Sequence, residues 1–324
     1  MLPTVSVIIP TYNYGQYIEE AIMSVLSSTF PLDNTEIIVV DDGSTDDTAN
    51  KVSKYKGIVK YFYQNNSGKA SATRSAINNT QGTYIFNLDA DDFFLPHKIQ
   101  TVVDVFEADP EILHVGHPAT YLDIDRQICS DEQIPNMLLG EKILGKVLLS
   151  YFYRKGILFG GGSTFAARSD ILKRVSIPKE VDMYIDEYMV LATLNKGYSF
   201  FHEQPLSVWR IHGSNYSSLS KEVRLQKLRR SFASVEAVKS QLSLLDIDEE
   251  IKRIYQLKAL TLSLALKEQS QEKNWGDIVN LWFYIFQNLG FFGLETASLV
   301  RQYHVLNRSL PVPVLAKLKQ LFVH

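Results

Sequence analysis

Through its first 110 residues the chain alternates short runs of apolar, β-branched and aromatic residues with polar-faced stretches of helical length. Thr4–Ile9 (TVSVII), Glu36–Val40 (EIIVV), Ile58–Tyr63 (IVKYFY) and Thr83–Leu88 (TYIFNL) read as buried strands, since near-continuous apolar runs of this length suit strands covered on both faces. Between them, Gln16–Ser28, Thr45–Tyr55 and Lys69–Asn79 have the length of helices. The order βαβαβαβ predicts a mostly parallel sheet flanked by helices, with right-handed crossovers. Ligands of such sheets bind outside the carboxyl ends of the strands, so the residues just after each strand become the candidates for chemistry.

From about Ile112 to Asn215 the pattern is mixed. It predicts strands near Leu113–Thr120, Thr164–Ala167 and Pro205–Ile211, and helices near Glu141–Tyr151 and Ile185–Asn195. After Ser218 it is almost wholly helical, with few Pro or Gly until Gly276. Three parts follow: 1–110, 111–218 and a helical region 219–324.

The net charge of −3 over 324 residues hides a split. Residues 1–110 hold 14 acidic and seven basic residues, a net of −7, which leaves +4 for the rest. An acidic amino-terminal part excludes a nucleic-acid surface, because duplex binding needs a basic footprint. The single cysteine, Cys129, permits no internal disulfide and no multi-cysteine zinc site. The start, MLPTVSVIIP, lacks the basic flank and cleavage site of a signal peptide and reads as a first strand. The uncharged 278–294 stretch (IVNLWFYIFQNLGFFGL) is 17 residues long and interrupted by Asn280, Gln287, Asn288 and two glycines. It suits a buried or interfacial helix better than a span of about 20 residues.

All four strand ends are polar. Pro10-Thr11-Tyr12-Asn13 follows the first, Asp41-Asp42-Gly43-Ser44-Thr45-Asp46-Asp47 the second, Gln64-Asn65-Asn66-Ser67-Gly68 the third and Asp89-Ala90-Asp91-Asp92 the fourth. Turn and cap chemistry alone accounts for residues 43–48. It does not account for Asp89, Asp91 and Asp92, because three acids within four residues at the end of a buried strand repel one another. A divalent cation removes that penalty: hard carboxylate oxygens select Mg²⁺ or Mn²⁺, with substrate phosphates completing the shell. Other phosphate sites are disfavoured, since no G-x-G-x-x-G follows a strand, Gly68-Lys69 is not a P-loop, and H-E-x-x-H is absent.

With these residues in view, the chain resembles the family 2 glycosyltransferases with the GT-A fold. VSVIIPTYNYGQYIEEAIMSVLSSTF, EIIVVDDGSTDDT, QNNSGKASATRSAIN and GTYIFNLDADD match that family's nucleotide-binding segments in order and spacing. The resemblance implies a GT-A sheet with a helical carboxyl-terminal extension, a nucleotide-diphospho-sugar donor (a UDP-sugar first among them) and Mn²⁺ or Mg²⁺. By carry-over, Pro10, Thr11 and Asn13 line the base and ribose pocket, Asp42 with Asp41 bonds the base, and Arg74 reaches the nucleotide. Asp89 and Asp91 become the D-x-D pair at ribose and metal, with Asp92 beside them on the acceptor side.

The second half resembles the family less closely. Where members carry Glu-Asp at the start of an acceptor-side helix, the Asp being the base, VDMYIDEYMVLATLNKG offers Asp186-Glu187, and Glu187 falls where the family has its Asp. Either carboxylate is a candidate base. Trp209-Arg210-Ile211-His212-Gly213-Ser214-Asn215 is similar to an aromatic-Arg-x-His-x-x-Asn segment at the donor edge, which implies Arg210 at the diphosphate and His212 at the metal. Gly160-Gly161-Gly162-Ser163 resembles a glycine loop flooring the acceptor site; His114 and His117 read as structural.

The expected activity is inverting transfer to a hydroxyl of a saccharide or lipid-linked saccharide, in surface glycan or polysaccharide synthesis. The competing reading is an inactive module that binds sugar nucleotides; a nucleotidyltransferase, which would need a Gly-rich basic loop after the first strand, ranks lower. In the tail, Lys221–Arg230 (KEVRLQKLRR) interleaves five basic residues with Val223, Leu225 and Leu228. With the 281–294 stretch it suits peripheral contact with an anionic membrane. The expected location is cytoplasmic, at the inner membrane face.

Overall fold

The computed structural model describes residues 4–212 and 221–293. In chain order its elements begin β1 (Val5–Thr11), α1 (Ile18–Leu26), β2 (Thr35–Asp41), α2 (Thr48–Ser53), β3 (Val59–Tyr63), α3 (Lys69–Asn78), β4 (Tyr84–Asn87), β5 (Phe93–Phe94) and α4 (Lys98–Ala108). They continue with β6 (Ile112–Gly116), β7 (Ala119–Asp123), β8 (Ile128–Asp131), β9 (Lys142–Leu144), α5 (Gly145–Lys155), β10 (Ala166–Arg168), α6 (Ser169–Lys173), α7 (Ile185–Leu194), β11 (Tyr198–Phe201) and β12 (Ser207–Ile211). The helices α8 (Lys221–Leu242), α9 (Glu249–Gln269), α10 (Trp275–Gln287) and α11 (Leu289–Phe292) follow.

The main sheet has eight strands in the order β3-β2-β1-β4-β10-β6-β11-β9. Its first four are parallel, as the alternation predicts, and only β10 and β9 run against the rest. Every residue of β1 is buried, which is why its sequence lacks the alternation of a one-faced strand. Val5, Val7 and Ile9 meet Ile18, Ile22 and Val25 of α1 in the core. The sheet's other end is closed by Glu36, a buried carboxylate that accepts from Ser6 Oγ (2.5 Å), the Gln81 amide (2.5 Å) and Lys60 Nζ (2.6 Å). Gly82 must be glycine there, because a Cβ would lie 2.6 Å from Ser6 Oγ.

The middle of the chain departs from expectation in several places, among them the unforeseen β11 and α6. The strand expected over 113–120 is two strands, β6 and β7, broken at His117-Pro118, since proline has no amide to continue a ladder. β7 instead joins a second sheet of order β5-β12-β7-β8, in which β8 was not foreseen. The helix expected from Glu141 begins at Gly145, after the short β9, and residue 145 is held to glycine because a Cβ there would lie 1.9 Å from the Leu194 carbonyl oxygen.

Two compact units emerge among the described residues: 4–148 with 158–212, and 149–157 with 221–293. The second is helical, its interior made by residues such as Val235, Val238, Leu242, Ile254, Tyr255, Leu281 and Ile285. The α10 helix starts at a capping box in which Asn274 Oδ1 accepts from the Asp277 amide (3.1 Å) and the Asp277 carboxylate accepts from the Asn274 amide (3.2 Å). It ends at Asn288, which divides the 278–294 stretch; Leu294 lies outside the described residues. No helix among the described residues is long and apolar enough to cross a membrane.

Candidate active site

The carboxyl ends of β1, β2 and β4 lie side by side, so their following loops share one edge of the sheet. Asn13 carries φ +57, a left-handed conformation that Asn tolerates, and knits the first two loops together. Its amide donates to Ser44 Oγ and its Oδ1 accepts from the Thr45 amide, both at 2.8 Å. Pro10 and Thr11 are buried beside it, and Thr11 Oγ1 has no hydrogen-bond partner.

Asp41 and Asp42 are buried but well supplied with donors. Asp41 accepts from the Ser44 amide and the Tyr61 hydroxyl, both at 2.7 Å. Asp42 accepts from Gln64 Nε2 (2.7 Å) and the amides of Ser67 (2.9 Å) and Gly68 (2.7 Å). Gly43 allows the turn, since at φ +82 a Cβ would lie 2.8 Å from the Asn66 nitrogen.

The acids after β4 are supplied differently. Asp89 accepts from Lys69 Nζ at 3.0 and 3.1 Å on its two oxygens, and the same ammonium lies 2.9 Å from Asp186 Oδ2 in the first turn of α7. Burial opposes the Lys69 charge, but Asp186 and Asp89 outweigh it and hold its pKa well above the usual lysine value. Asp186 is pushed up by burial, with Lys69 pulling the other way. Its Oδ1 is buried without a hydrogen-bond partner. Asp91 is pushed up by burial and by Asp89, with Lys69 and His212 opposing. His212 Nε2 stands 3.3 Å from Asp91 Oδ2, its ring against Tyr17 at 4.7 Å between centroids.

Asp92 turns inward. It accepts from Ser163 Oγ (2.6 Å) and the Arg210 amide (3.0 Å), and burial together with Asp89 and Asp91 holds its carboxyl well above the usual range. Behind it the fully buried Lys98 donates to the Ser163 carbonyl (2.5 Å) and Ser207 Oγ (2.9 Å), and burial holds that amine well below the usual lysine range. Asp92 thus anchors β12 and the glycine loop to the end of β4.

That loop faces the cluster. A Cβ on Gly161 would make ordinary contact with Asp186 Cβ at 3.5 Å, and one on Gly162 would lie 3.5 Å from Asp89 Oδ2 and 3.8 Å from Trp209 Cζ2. Trp209 Nε1 is buried without a hydrogen-bond partner. Two unsatisfied polar atoms, one acceptor and one donor, therefore belong to side chains packed against the Gly161-Gly162 turn. His114 is structural: Nε2 bonds the Gly160 carbonyl (2.9 Å), Nδ1 bonds Ser199 Oγ (2.8 Å), and burial lowers its pKa to about 4. His117, also fully buried, has its pKa held well down by burial.

Two predicted arginines do not join the acids. Arg74 Nη1 donates to the Ile177 carbonyl at 3.4 Å. Arg210 pairs with Glu20 at 2.6 Å while its guanidinium lies between the rings of Tyr17 and Phe93. Glu187 is half-buried one position past Asp186. Gly213, Ser214 and Asn215 lie outside the described residues, as do the side chains at 221–224. Sequence reasoning passed over Lys69, Ser163 and Lys98. The only signal for Lys69 was a basic residue opening the helix after β3; nothing local marked the other two.

The fold is that of the GT-A glycosyltransferases. TarS (residues 1–349) of S. aureus in complex with UDP-GlcNAc matches it with a TM-score of 0.63 at 16% identity, over 94% of this chain and 88% of that one. The mannosyltransferase PcManGT of Pyrobaculum calidifontis, in complex with GDP-Man and Mn²⁺, gives 0.51 at 16% identity, over 95% and 86%. Residues 6–176, more than half of the chain, match the family described as glycosyl transferase family 2; the chain belongs to that family and is a glycosyltransferase. An uncharacterized glycosyltransferase of Nostoc sp. is 28% identical over 238 residues, 72% of each chain. The chondroitin synthase of Escherichia coli is 35% identical over 129 residues, 39% of this chain and 18% of that one.

Proposed function

We propose that the chain transfers a sugar from a nucleotide-diphospho-sugar, a UDP-sugar first among candidates, to a hydroxyl of a saccharide or lipid-linked acceptor, inverting the anomeric carbon. The observation that carries this is the contrast at the sheet edge. The acids after β2 are held largely by loop amides, whereas those after β4 meet Lys69, Ser163 and His212, and Asp91 and Asp92 are pushed up by burial and by their neighbouring carboxylates, around a glycine turn against which Asp186 and Trp209 pack.

A divalent cation fits this chemistry. Among the described residues no three His, Cys, Asp or Glu side chains converge as a ready cage, but Mg²⁺ or Mn²⁺ at a diphosphate needs only one or two protein ligands. Asp91, whose carboxylate is pressed by that of Asp89, would hold it with His212 beside it. When bound, the ion supplies neutralisation of the charge that builds on the leaving diphosphate. Asp89, clamped by Lys69, is assigned to the ribose side. Pro10, Thr11 and Asn13 form the wall for the base, with Asp41 and Asp42 fixing the loop there.

In the reaction the acceptor oxygen bonds to the anomeric carbon as the bond to the diphosphate oxygen breaks, that oxygen keeping the electron pair. The Asp186 carboxylate takes the acceptor proton from the face opposite the leaving group. The test is a thermal-shift panel of UDP-, GDP- and dTDP-sugars with and without Mn²⁺. At 100 Kd a ligand stabilises by about 2.7 kcal/mol, and no shift with any donor overturns the reading.

We also assign α10 to contact with an anionic membrane surface, where a lipid-linked acceptor would reside. Trp275, Val279, Phe283 and Phe286 recur at i, i+4, i+8 and i+11, one helix face, and each is between 60 and 71% exposed. Residues 219–324 carry 15 basic and 10 acidic residues, a net of +5, opposite in sign to residues 1–110. Co-sedimentation with phosphatidylglycerol vesicles but not phosphatidylcholine vesicles is expected, and F283E/F286E should abolish it. Equal recovery with both vesicles, or a dimer that those substitutions dissolve, overturns the assignment.

A further inference from the structure

Lys69 is the one basic side chain in the described structure that pairs with a carboxylate after β4 and with a carboxylate of α7 at the same time. Those carboxylates stand 97 residues apart in the chain, and the Lys69 ammonium links them. Its position is imposed from behind. Lys69 opens α3 directly after Gly68, which sits at φ +93 with a Cβ position only 2.5 Å from Asp182 Oδ1, so the chain is pressed against the segment leading into α7. The link is asymmetric: both oxygens of Asp89 face the ammonium, but only Oδ2 of Asp186 does. The other oxygen, Oδ1, is buried and unpartnered.

We infer that Lys69 is a positioning residue for transfer: it grips Asp186 by Oδ2 and Asp89 by both oxygens, and so holds the carboxylate of α7 in register with the acids after β4 for the acceptor hydroxyl. This rests on the glycosyl-transfer reading above and deepens it, because it selects Asp186 over Glu187 as the base. The physical reason is entropic and geometric. A short carboxylate held through one oxygen loses its rotational freedom before the acceptor arrives, and a base that is misplaced by about 1 Å can cost about 10²-fold in rate. The paired cation also offsets the repulsion between this half-buried carboxylate and the acids after β4. Glu187, one methylene longer, has no place in the Lys69 grip.

The test compares K69M, K69R, D186N and E187Q in the full chain, using the donor selected by the thermal-shift panel. Each variant is read for nucleoside diphosphate binding by calorimetry and for kcat and KM in transfer. K69M should lower kcat about 10²-fold while the nucleoside diphosphate Kd moves less than about threefold, and K69R should recover most of the loss. D186N should lower kcat by about 10²- to 10⁴-fold, the span of a positioned base, with E187Q within about threefold of the parent. A K69M enzyme with parental kcat, or an E187Q enzyme as impaired as D186N, overturns the inference. If the parent transfers from no donor, the functional reading fails by itself. The grip is then read by a double-mutant cycle of K69M and D186N on urea unfolding: coupled effects uphold it and additive effects overturn it.

Discussion

Two clusters of aspartates close two strands of one sheet, and their compositions are nearly alike: Asp41, Asp42, Asp46 and Asp47 after β2, and Asp89, Asp91 and Asp92 after β4. Their surroundings are opposite. After β2 the carboxylates are consumed by the fold, with Asp41 and Asp42 accepting five hydrogen bonds between them and Asp46 accepting from the Gly15 and Thr48 amides. After β4 the partners are mostly side chains, Lys69 and Asn87 for Asp89, Ser163 for Asp92 and His212 for Asp91, and burial together with the neighbouring carboxylates raises Asp91 and Asp92.

The largest expected effect that sharpens this contrast is on turnover. D91N should lower kcat/KM for transfer by about 10²- to 10³-fold, the scale of losing one stabiliser of developing charge, while its urea midpoint stays at or above that of the parent. A parental rate would place Asp91 outside the chemistry.

The mirror experiment is D42A. It strips three donors of their acceptor at a site only 3% exposed, so unfolding free energy should fall by about 2–4 kcal/mol. Denaturant titration checks this, and a loss of activity without a loss of stability would reverse the roles given to the two clusters.

A smaller effect concerns the back of the glycine loop. His114 is neutral in the folded chain with a pKa of about 4, against about 6.5 unfolded, so between those values the unfolded chain binds the extra proton. Its contribution to stability is complete above about pH 6.5 and is lost as pH falls toward 4, by about 3 kcal/mol. Urea midpoints at pH 7 and 4.5 should differ accordingly, and H114Q should flatten part of that slope.

The smallest effect is at the front. Gly162 sits at φ +53 with room for a Cβ, so G162A should cost about 1–2 kcal/mol from the left-handed backbone alone. Its unfolding free energy should fall below that of the parent by that amount, and a larger loss would mean that a methyl group does not fit at the turn.

Much of the amino-terminal half was legible because its signals are local. Buried parallel strands announce themselves as Val and Ile runs, and the loops that matter come directly after them. The contrast between the two aspartate clusters was only half legible. Repulsion among Asp89, Asp91 and Asp92 was visible in their spacing, whereas the hydrogen bonds that satisfy Asp42 arrive from Gln64, Ser67 and Gly68, more than 20 residues away. The contacts made by the second half of the chain were least legible. Lys69 reaches Asp186 across 117 residues, and Lys98 reaches Ser207 across 109, contacts that no periodicity encodes. Arg210 fitted a motif, but Glu20, Tyr17 and Phe93 hold it.

The most direct measurement is nucleoside diphosphate release from UDP-, GDP- and dTDP-sugars in the presence of Mn²⁺, comparing the parent chain with D91N and D42N. Release by the parent from at least one donor, abolished in D91N but persisting in whatever fraction of D42N remains folded, is the expected result. No release from any donor, or release by D91N at the parental rate, would contradict the assignment of the acids after β4 to sugar transfer.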